Sequence, residues 1–350
     1  MDVRLTDEQQ MLQAMVGEVA ARLGASRTGA PGADARLAAD ADAWQTLASL
    51  GLVGLHMPGG AGGGMVENAL IAERLAEALV PVPFIGAAVW IPALLAGAGA
   101  AEAIQAVACG QLRLAPVLRP DLSALAAPGE DGIAFDAQAA TAGILVGGDG
   151  SLHAVTLGAE ARGADLTRTL RRVPAGAPPA SLPVALGVAM APDRRRRAEA
   201  AALAVLAADL VGVAERALEE AVAHVTHRAQ FGVPVGSFQA VQHLAAHAKV
   251  LTEGARSSMW HAAWAADELE PGPALLAARQ AKAFCSSAAR EVGEISIQLL
   301  GGIGFTWEHL AHVRLRRILL SRQVLGDEAV QHAAIAGTRL GSDGAVAGRR

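Results

Sequence analysis

The 350-residue sequence has only two cysteines, Cys109 and Cys285, too few for a disulfide framework or a closed zinc site. No run reaches the roughly 18 unbroken apolar residues that a membrane span needs. The start, Met1-Asp-Val-Arg-Leu-Thr-Asp-Glu8, lacks the apolar core of a signal peptide. Positive charge is not in excess either: the formal net charge of -5 offers no basic field to nucleic acid or an anionic membrane. The expected ligand is therefore a small molecule or a protein partner, in a reducing, cytoplasmic setting. A hydrophobic content of 52% excludes dominant disorder, and the length suffices for two or three domains with a sizeable core.

Thr6-Asp-Glu-Gln9 has the spacing of a capping box and predicts a helix to about Leu23. A Gly/Ala/Pro linker near 24–33 precedes a second helical run to Leu50, with Trp44, Leu47 and Leu50 on one face. The glycine-rich run Gly51 to Gly64 lacks the lysine and hydroxyl of a phosphate-binding loop and follows no Rossmann strand, so it reads as structural. From 112 to 193, short apolar runs (Leu112 to Leu118, Gly143 to Val146, His153 to Leu157, Leu182 to Val188) alternate with turn residues, which predicts a small β domain.

The C-terminal half opens with Asp193 as an expected N-cap, followed by four consecutive arginines, Arg194 to Arg197. Cations in a first turn oppose the helix dipole, so they need solvent or an anion such as a phosphate. Long helices are expected to His227, from about Phe238 to Asp267, from about Ala274 to Leu300, and after Gly326-Asp-Glu328. Short connections between them predict an antiparallel bundle. Two connections carry chemistry. Arg228-Ala-Gln-Phe-Gly232, with Phe238, Gln239, Gln242 and His243 just beyond, gathers a cation and three amides at a helix corner. Gln298-Leu-Leu-Gly-Gly-Ile-Gly-Phe305 supplies an amide and a flexible backbone.

These two runs, about 70 residues apart, resemble the paired signatures of the acyl-CoA dehydrogenase flavoprotein family. The resemblance implies an α+β, mainly α chain: an N-terminal helical domain (1–111), a shortened middle β domain (112–193) and a C-terminal four-helix bundle (194–345). It implies FAD as cofactor, held at Arg228, Gln230, Phe231, Phe238, Gln239, Gln298, Gly301 and Gly302. The implied reaction is α,β-desaturation of an acyl-CoA, with an electron-transfer flavoprotein as acceptor. The family's flavin-ring loops, a Thr-Glu-Pro-like run before Gly-Ser-Asp and a later Trp-x-Thr-Asn, have no counterpart here. The aromatic that often stands four residues before the signature arginine is replaced by His224, and the chain has no tyrosine at all. The chain is therefore similar to the smaller, partner-type subunit of heteromeric bacterial acyl-CoA dehydrogenases associated with steroid side chains, which implies a second, larger chain or self-association; the alternative to a desaturating subunit is a non-catalytic partner that completes the FAD site of the larger chain.

Desaturation needs a carboxylate to take the α proton. The family's usual position for it is occupied by Leu325, before Gly326. In a minority of members the base lies on a bundle helix, and the count from Phe238 lands on Glu268. The bland alternative is an acidic helix end, Asp267-Glu-Leu-Glu270. Asp327 and Glu328 read as helix-start carboxylates. His243 and His247, four apart, have metal-ligand spacing, with His224 and His227 upstream, but no accompanying glutamate. Thr306 and Trp307 either touch ligand or pack, His309 and His312 read as partly exposed packing residues, and Cys285 reads as a small buried hydrophobe.

Overall fold

A computed structural model describes residues 4–24, 41–56 and 62–340. The expected linker beyond Gly24, residues 57–61 of the glycine-rich run and positions 341–345 of the last expected domain lie outside these residues.

The first helix, α1 (Asp7–Leu23), is capped as its sequence predicts: Gln9 N–H donates to Thr6 Oγ1 at 3.2 Å, and Thr6 N–H to Gln9 Oε1 at 3.0 Å. In α2 (Ala41–Ser49) Trp44 and Leu47 are buried, but Leu50 lies past the helix end and is exposed. Helix α3 (Met65–Glu77), a buried π-helical turn (Phe84–Trp90), α4 (Ile91–Ala98) and α5 (Ala101–Ala108) complete the first segment.

A six-stranded sheet follows: β1 (Leu114–Leu118), β2 (Gly132–Ala134), β3 (Ala142–Val146), β4 (Leu152–Val155), β5 (Glu160–Ala161) and β6 (Leu170–Val173), in spatial order β4-β3-β1-β2-β6-β5. Only β1 and β3 run parallel. Both are buried at every residue, which is why they read as continuous apolar runs. The expected strand at Leu182 to Val188 does not form. Pro183 removes a backbone donor, and the run instead lies as an irregular strap with Leu182, Val184 and Leu186 turned toward the core. Three short strands, β2, β5 and β6, went unpredicted; β6, Leu-Arg-Arg-Val, buries only its two ends.

Three long helices form the bundle: α6 (Pro192–His227), α7 (Gln239–Glu268) and α8 (Pro271–Leu300), flanked by α9 (Ala311–Gln323) and α10 (Glu328–Leu340). Helix α6 starts one residue before Asp193. Ala191 is the cap and Pro192, with its φ already set for a helix, takes the first position. Proline does the same for α8 at Pro271, three residues before the expected start. Nearly every residue of α6 from Ala198 to Ala214 is buried, so this helix is the bundle's axis, apolar all round. Gly212 is required there: a Cβ would collide with the carbonyl oxygen of Glu73 on α3. Among the described residues no helix is long and apolar enough to cross a membrane.

Candidate functional site

Because α6 and α8 run one way and α7 the other, the C-termini of α6 and α8 and the N-terminus of α7 share one end of the bundle. That end holds all eight expected cofactor residues. Between α6 and α7, Ala229–Gln230 (β7) and Val233–Pro234 (β8) pair as a hairpin with Gln230 opposite Val233. The two-residue loop is Phe231-Gly232, with φ of 53° and 80°, the positive pair that a type I′ turn requires. Asparagine and glycine favour such a loop; a phenylalanine there is strained by about 1 kcal/mol or more. Phe231 is also 94% exposed, Phe238 just beyond it is exposed, and Phe305 (73%) is exposed on the connection after α8. Three of the six phenylalanines thus stand in solvent on connections at one end of the bundle. Strain and apolar exposure at one corner mark a surface built to be covered.

The polar groups of this corner are uncommitted. The Arg228 guanidinium and the side-chain amides of Gln239 and Gln298 are exposed and make no hydrogen bond or ion pair with the described residues. Gln230 and Gln242 reach only local carbonyls, of Ala229 and Gly236. Gly301 closes α8 at φ 64°, and a side chain at Gly301 or Gly302 would project into open space, so a ligand can approach the backbone closely. A free guanidinium, two free amides, bare backbone and exposed aromatics are the donor set for a dinucleotide's phosphates and adenine. This corner fits the adenosine-diphosphate end of FAD.

The other expected site residues lie elsewhere. Glu268 ends α7, the helix that begins at Gln239, and 30 residues separate the helix ends by about 45 Å. Glu268 is exposed and unpartnered, whereas its neighbour Asp267 accepts the Met65 N–H at 2.6 Å and caps α3. Burial pushes Asp267 up to about 6.

Leu325 is buried against the β1–β2 loop, and its N–H donates to the carbonyl of Leu122 at 2.8 Å. Both leucines have positive φ, 61° at Leu122 and 59° at Leu325. The cavity that Leu325 borders, with Trp90, Leu94, Arg195 and Glu199, measures about 80 Å³. Small-molecule sites occupy roughly 300–1,000 Å³, so this space is small beside them. Below Leu325 the buried Lys282 ammonium donates to the carbonyls of Arg322 (2.8 Å) and Gly326 (3.1 Å) and to Ser286 Oγ (3.2 Å), fixing the loop. Burial pushes Lys282 down to about 7.

A buried ionic cluster escaped the sequence reading. Asp209, within the apolar stretch of α6, accepts from Arg168 Nη2 (2.9 Å), from Arg317 Nε (3.1 Å) and Nη2 (2.5 Å), and from Ser321 Oγ (2.7 Å). Arg168 also bonds Asp136 at 2.6 Å, and Asp136 accepts the Gly86 N–H at 2.8 Å. All three segments meet in this network. Its signal was a lone carboxylate in an apolar helix, which requires a buried partner. The histidines form no metal site: His247 Nε2 contacts Glu291 Oε1 at 2.8 Å, and no metal-holding cluster occurs among the described residues. Trp307 packs edge-on against His312. Cys285 is buried, its thiol pushed up to about 12.

Models of the acyl-CoA dehydrogenase N-terminal and C-terminal domains match residues 6–107 and 201–340, leaving the sheet between them. Acyl-CoA dehydrogenase FadE34 of Mycobacterium tuberculosis is 34% identical over 342 residues, covering 89% of this chain and 45% of FadE34. The chain thus spans about half that relative's length. Acyl-CoA dehydrogenase IpdE2 of Mycolicibacterium smegmatis is 30% identical over 329 residues, covering 92% of this chain and 96% of IpdE2. Among solved structures, a chain of the ChsE4-ChsE5 complex from Mycobacterium tuberculosis superposes with a TM-score of 0.78 at 21% identity, covering 99% of this chain and 100% of that one. The chain belongs to the acyl-CoA dehydrogenase family, flavoprotein oxidoreductases whose cofactor is FAD.

Proposed function

We propose that this chain is the partner subunit of a heteromeric acyl-CoA dehydrogenase, completing the FAD site of a longer acyl-CoA dehydrogenase chain that supplies the flavin platform and the base. One observation carries the reading: the residues for the adenosine end stand exposed and unpaired, while the loop where the family's base belongs is closed on Leu122. Two comparisons support it. ChsE4-ChsE5 is a complex of two named components, and FadE34, more than twice the length matched, has room for a second unit of this size.

In the assembly Arg228 holds a phosphate by charge-assisted hydrogen bonds, Gln239 and Gln298 contribute amides, and Gly301 and Gly302 let the backbone approach. Gln230, Phe231 and Phe238 complete the contact surface. FAD, when bound, supplies the hydride acceptor for α,β-desaturation of an acyl-CoA. An electron-transfer flavoprotein then takes the electrons. Glu268 remains a helix-end carboxylate.

Co-expression with a longer acyl-CoA dehydrogenase chain from the same organism tests the reading. The chain alone should be nearly colourless, and the co-purified heteromer yellow and active. Arg228→Ala should weaken FAD retention by roughly one to two decades, the worth of about 1.5–3 kcal/mol of charged hydrogen bonding, against little change for Arg196→Ala. Glu268→Gln should leave activity intact; loss by several decades with FAD retained would make this chain the catalyst. An isolated chain that is stoichiometric in FAD and fully active overturns the partner reading.

A further inference from the structure

A second cavity, of about 270 Å³, lies at the opposite end of the bundle from Arg228, between α3, α4, α6 and the end of α7. It shares no residue with the Leu325 cavity. Its volume is that of about nine liquid-phase waters. Its walls are small and apolar, set by Ala93 and Ala96 of α4 and Ala198 and Ala201 of α6. Three basic side chains, His56, Arg194 and Arg197, stand on its lining.

His56 is the unexplained group. Both its ring nitrogens are shut off from solvent and neither has a partner among the described residues, which is rare for buried polar atoms and calls for an account. Burial pushes the imidazole down to about 4, so at neutral pH it carries one N–H donor and one acceptor, both unmet. Arg194 and Arg197 stand one turn apart on α6. Each gives one Nη1 to a carbonyl, of Gly97 at 3.3 Å and of Ala266 at 3.4 Å, and neither is paired with a carboxylate among the described residues. The neighbouring arginines differ: Arg196 pairs with Asp193, and Arg195 borders the Leu325 cavity. Asp267, the one acid on the lining, has an oxygen committed to the N-terminus of α3. On the lining itself two arginines stand against one acid above an apolar floor, with Glu67 and Glu268 close to Asp267 but off the lining.

We propose that this cavity binds a small amphipathic carboxylate, an aliphatic acid of medium length, with its head between His56, Arg194 and Arg197 and its tail against the alanine walls. The sequence's four-arginine turn then has a divided use, with two of the four facing this ligand. The site needs no flavin and no partner chain, so it stands or falls independently of the heteromer.

Octanoate is the probe, titrated calorimetrically into the full-length chain. Saturable one-to-one binding is expected, weakened roughly tenfold to a hundredfold in Arg197→Gln, the range for a lost charge-assisted hydrogen bond. The same loss is expected when octanol replaces octanoate, and Arg195→Gln should bind normally. His56→Phe, which fills the space, should abolish binding; a melting curve checks that it folds, and Ala201→Leu is the alternative blocking variant. Absence of saturable binding overturns the proposal, as does octanol binding equally well. Unchanged affinity in Arg197→Gln together with Ala201→Leu also overturns it.

Discussion

Replacing Asp209 by asparagine keeps the size of the side chain and removes one charge from the centre of the molecule. Asp209 is 1% exposed and serves two guanidiniums and one hydroxyl. Arg168 would retain Asp136 and the nearby Asp165, but Arg317 would be left with Thr167 Oγ1 at 3.2 Å and the Val80 carbonyl at 3.4 Å, and no carboxylate. Removing one partner of a buried pair costs about 3–5 kcal/mol. At roughly 2–4 °C per kcal/mol, that lowers the melting temperature by about 10 °C. Urea denaturation should show a lower midpoint with an unchanged m-value. Asp209→Leu combined with Arg317→Met, which removes both charges, should recover a large part of the loss.

Acid should report the same group. Burial alone would raise the Asp209 pKa, but Arg317 and Arg168 hold it at about 2. A carboxylate depressed on folding adds stability above its unfolded pKa of about 3.9 and loses it as pH falls toward 2, here roughly 2–3 kcal/mol. The asparagine variant should lack that component of acid sensitivity. A loss within about 1 kcal/mol, the level of an exposed ion pair, would refute the buried-network account.

Three further outcomes are expected. Phe231→Asn relieves left-handed strain and should hold or raise the isolated chain's urea midpoint, by up to about 1 kcal/mol, while weakening heteromer assembly on size exclusion; an unaffected heteromer would remove Phe231 from the interface. Gly212→Ala forces α6 away from Glu73 and should cost about 1–3 kcal/mol as overpacking, so a melting temperature at or above the parent's contradicts the close contact. Lys282 takes up a proton in the unfolded chain that it partly lacks when folded, so stability should rise with pH from about 7 to 10, by at most about 1.4 kcal/mol per pH unit. Lys282→Met should flatten that rise in a pH series of urea midpoints; an unchanged slope assigns it to another group.

The helices were legible because capping and periodicity are local. Thr6 and Gln9, separated by one turn, contain the whole instruction for the start of α1. The cofactor corner was legible for a related reason: Arg228 to Gln239 is one continuous stretch, and Gln298 to Gly302 another. The sheet was half legible. Strands buried on both faces, β1 and β3, show as apolar runs, whereas Leu170–Val173 owes its place to pairing with β2 and β5, which no local pattern records. Least visible were relations across the chain. Nothing beside Asp209 announces Arg168 or Arg317, which come from 41 residues before and 108 residues after it. Glu268 shows the converse case: a count along one helix supplied a carboxylate, and the helix's length puts it about 45 Å from Gln239, at the opposite end of the bundle.

The bond between Leu122 and Leu325 works as a latch between two loops. Two left-handed leucines from distant parts of the chain hold one another, and Lys282 braces the loop beneath. A glutamate placed at position 325 would put a carboxylate among these buried groups, beside a cavity of about 80 Å³. The two loops are therefore tied to one another: a change of backbone at Leu325 leaves the Leu122 carbonyl without its donor, and a change at Leu122 leaves the Leu325 amide without its acceptor.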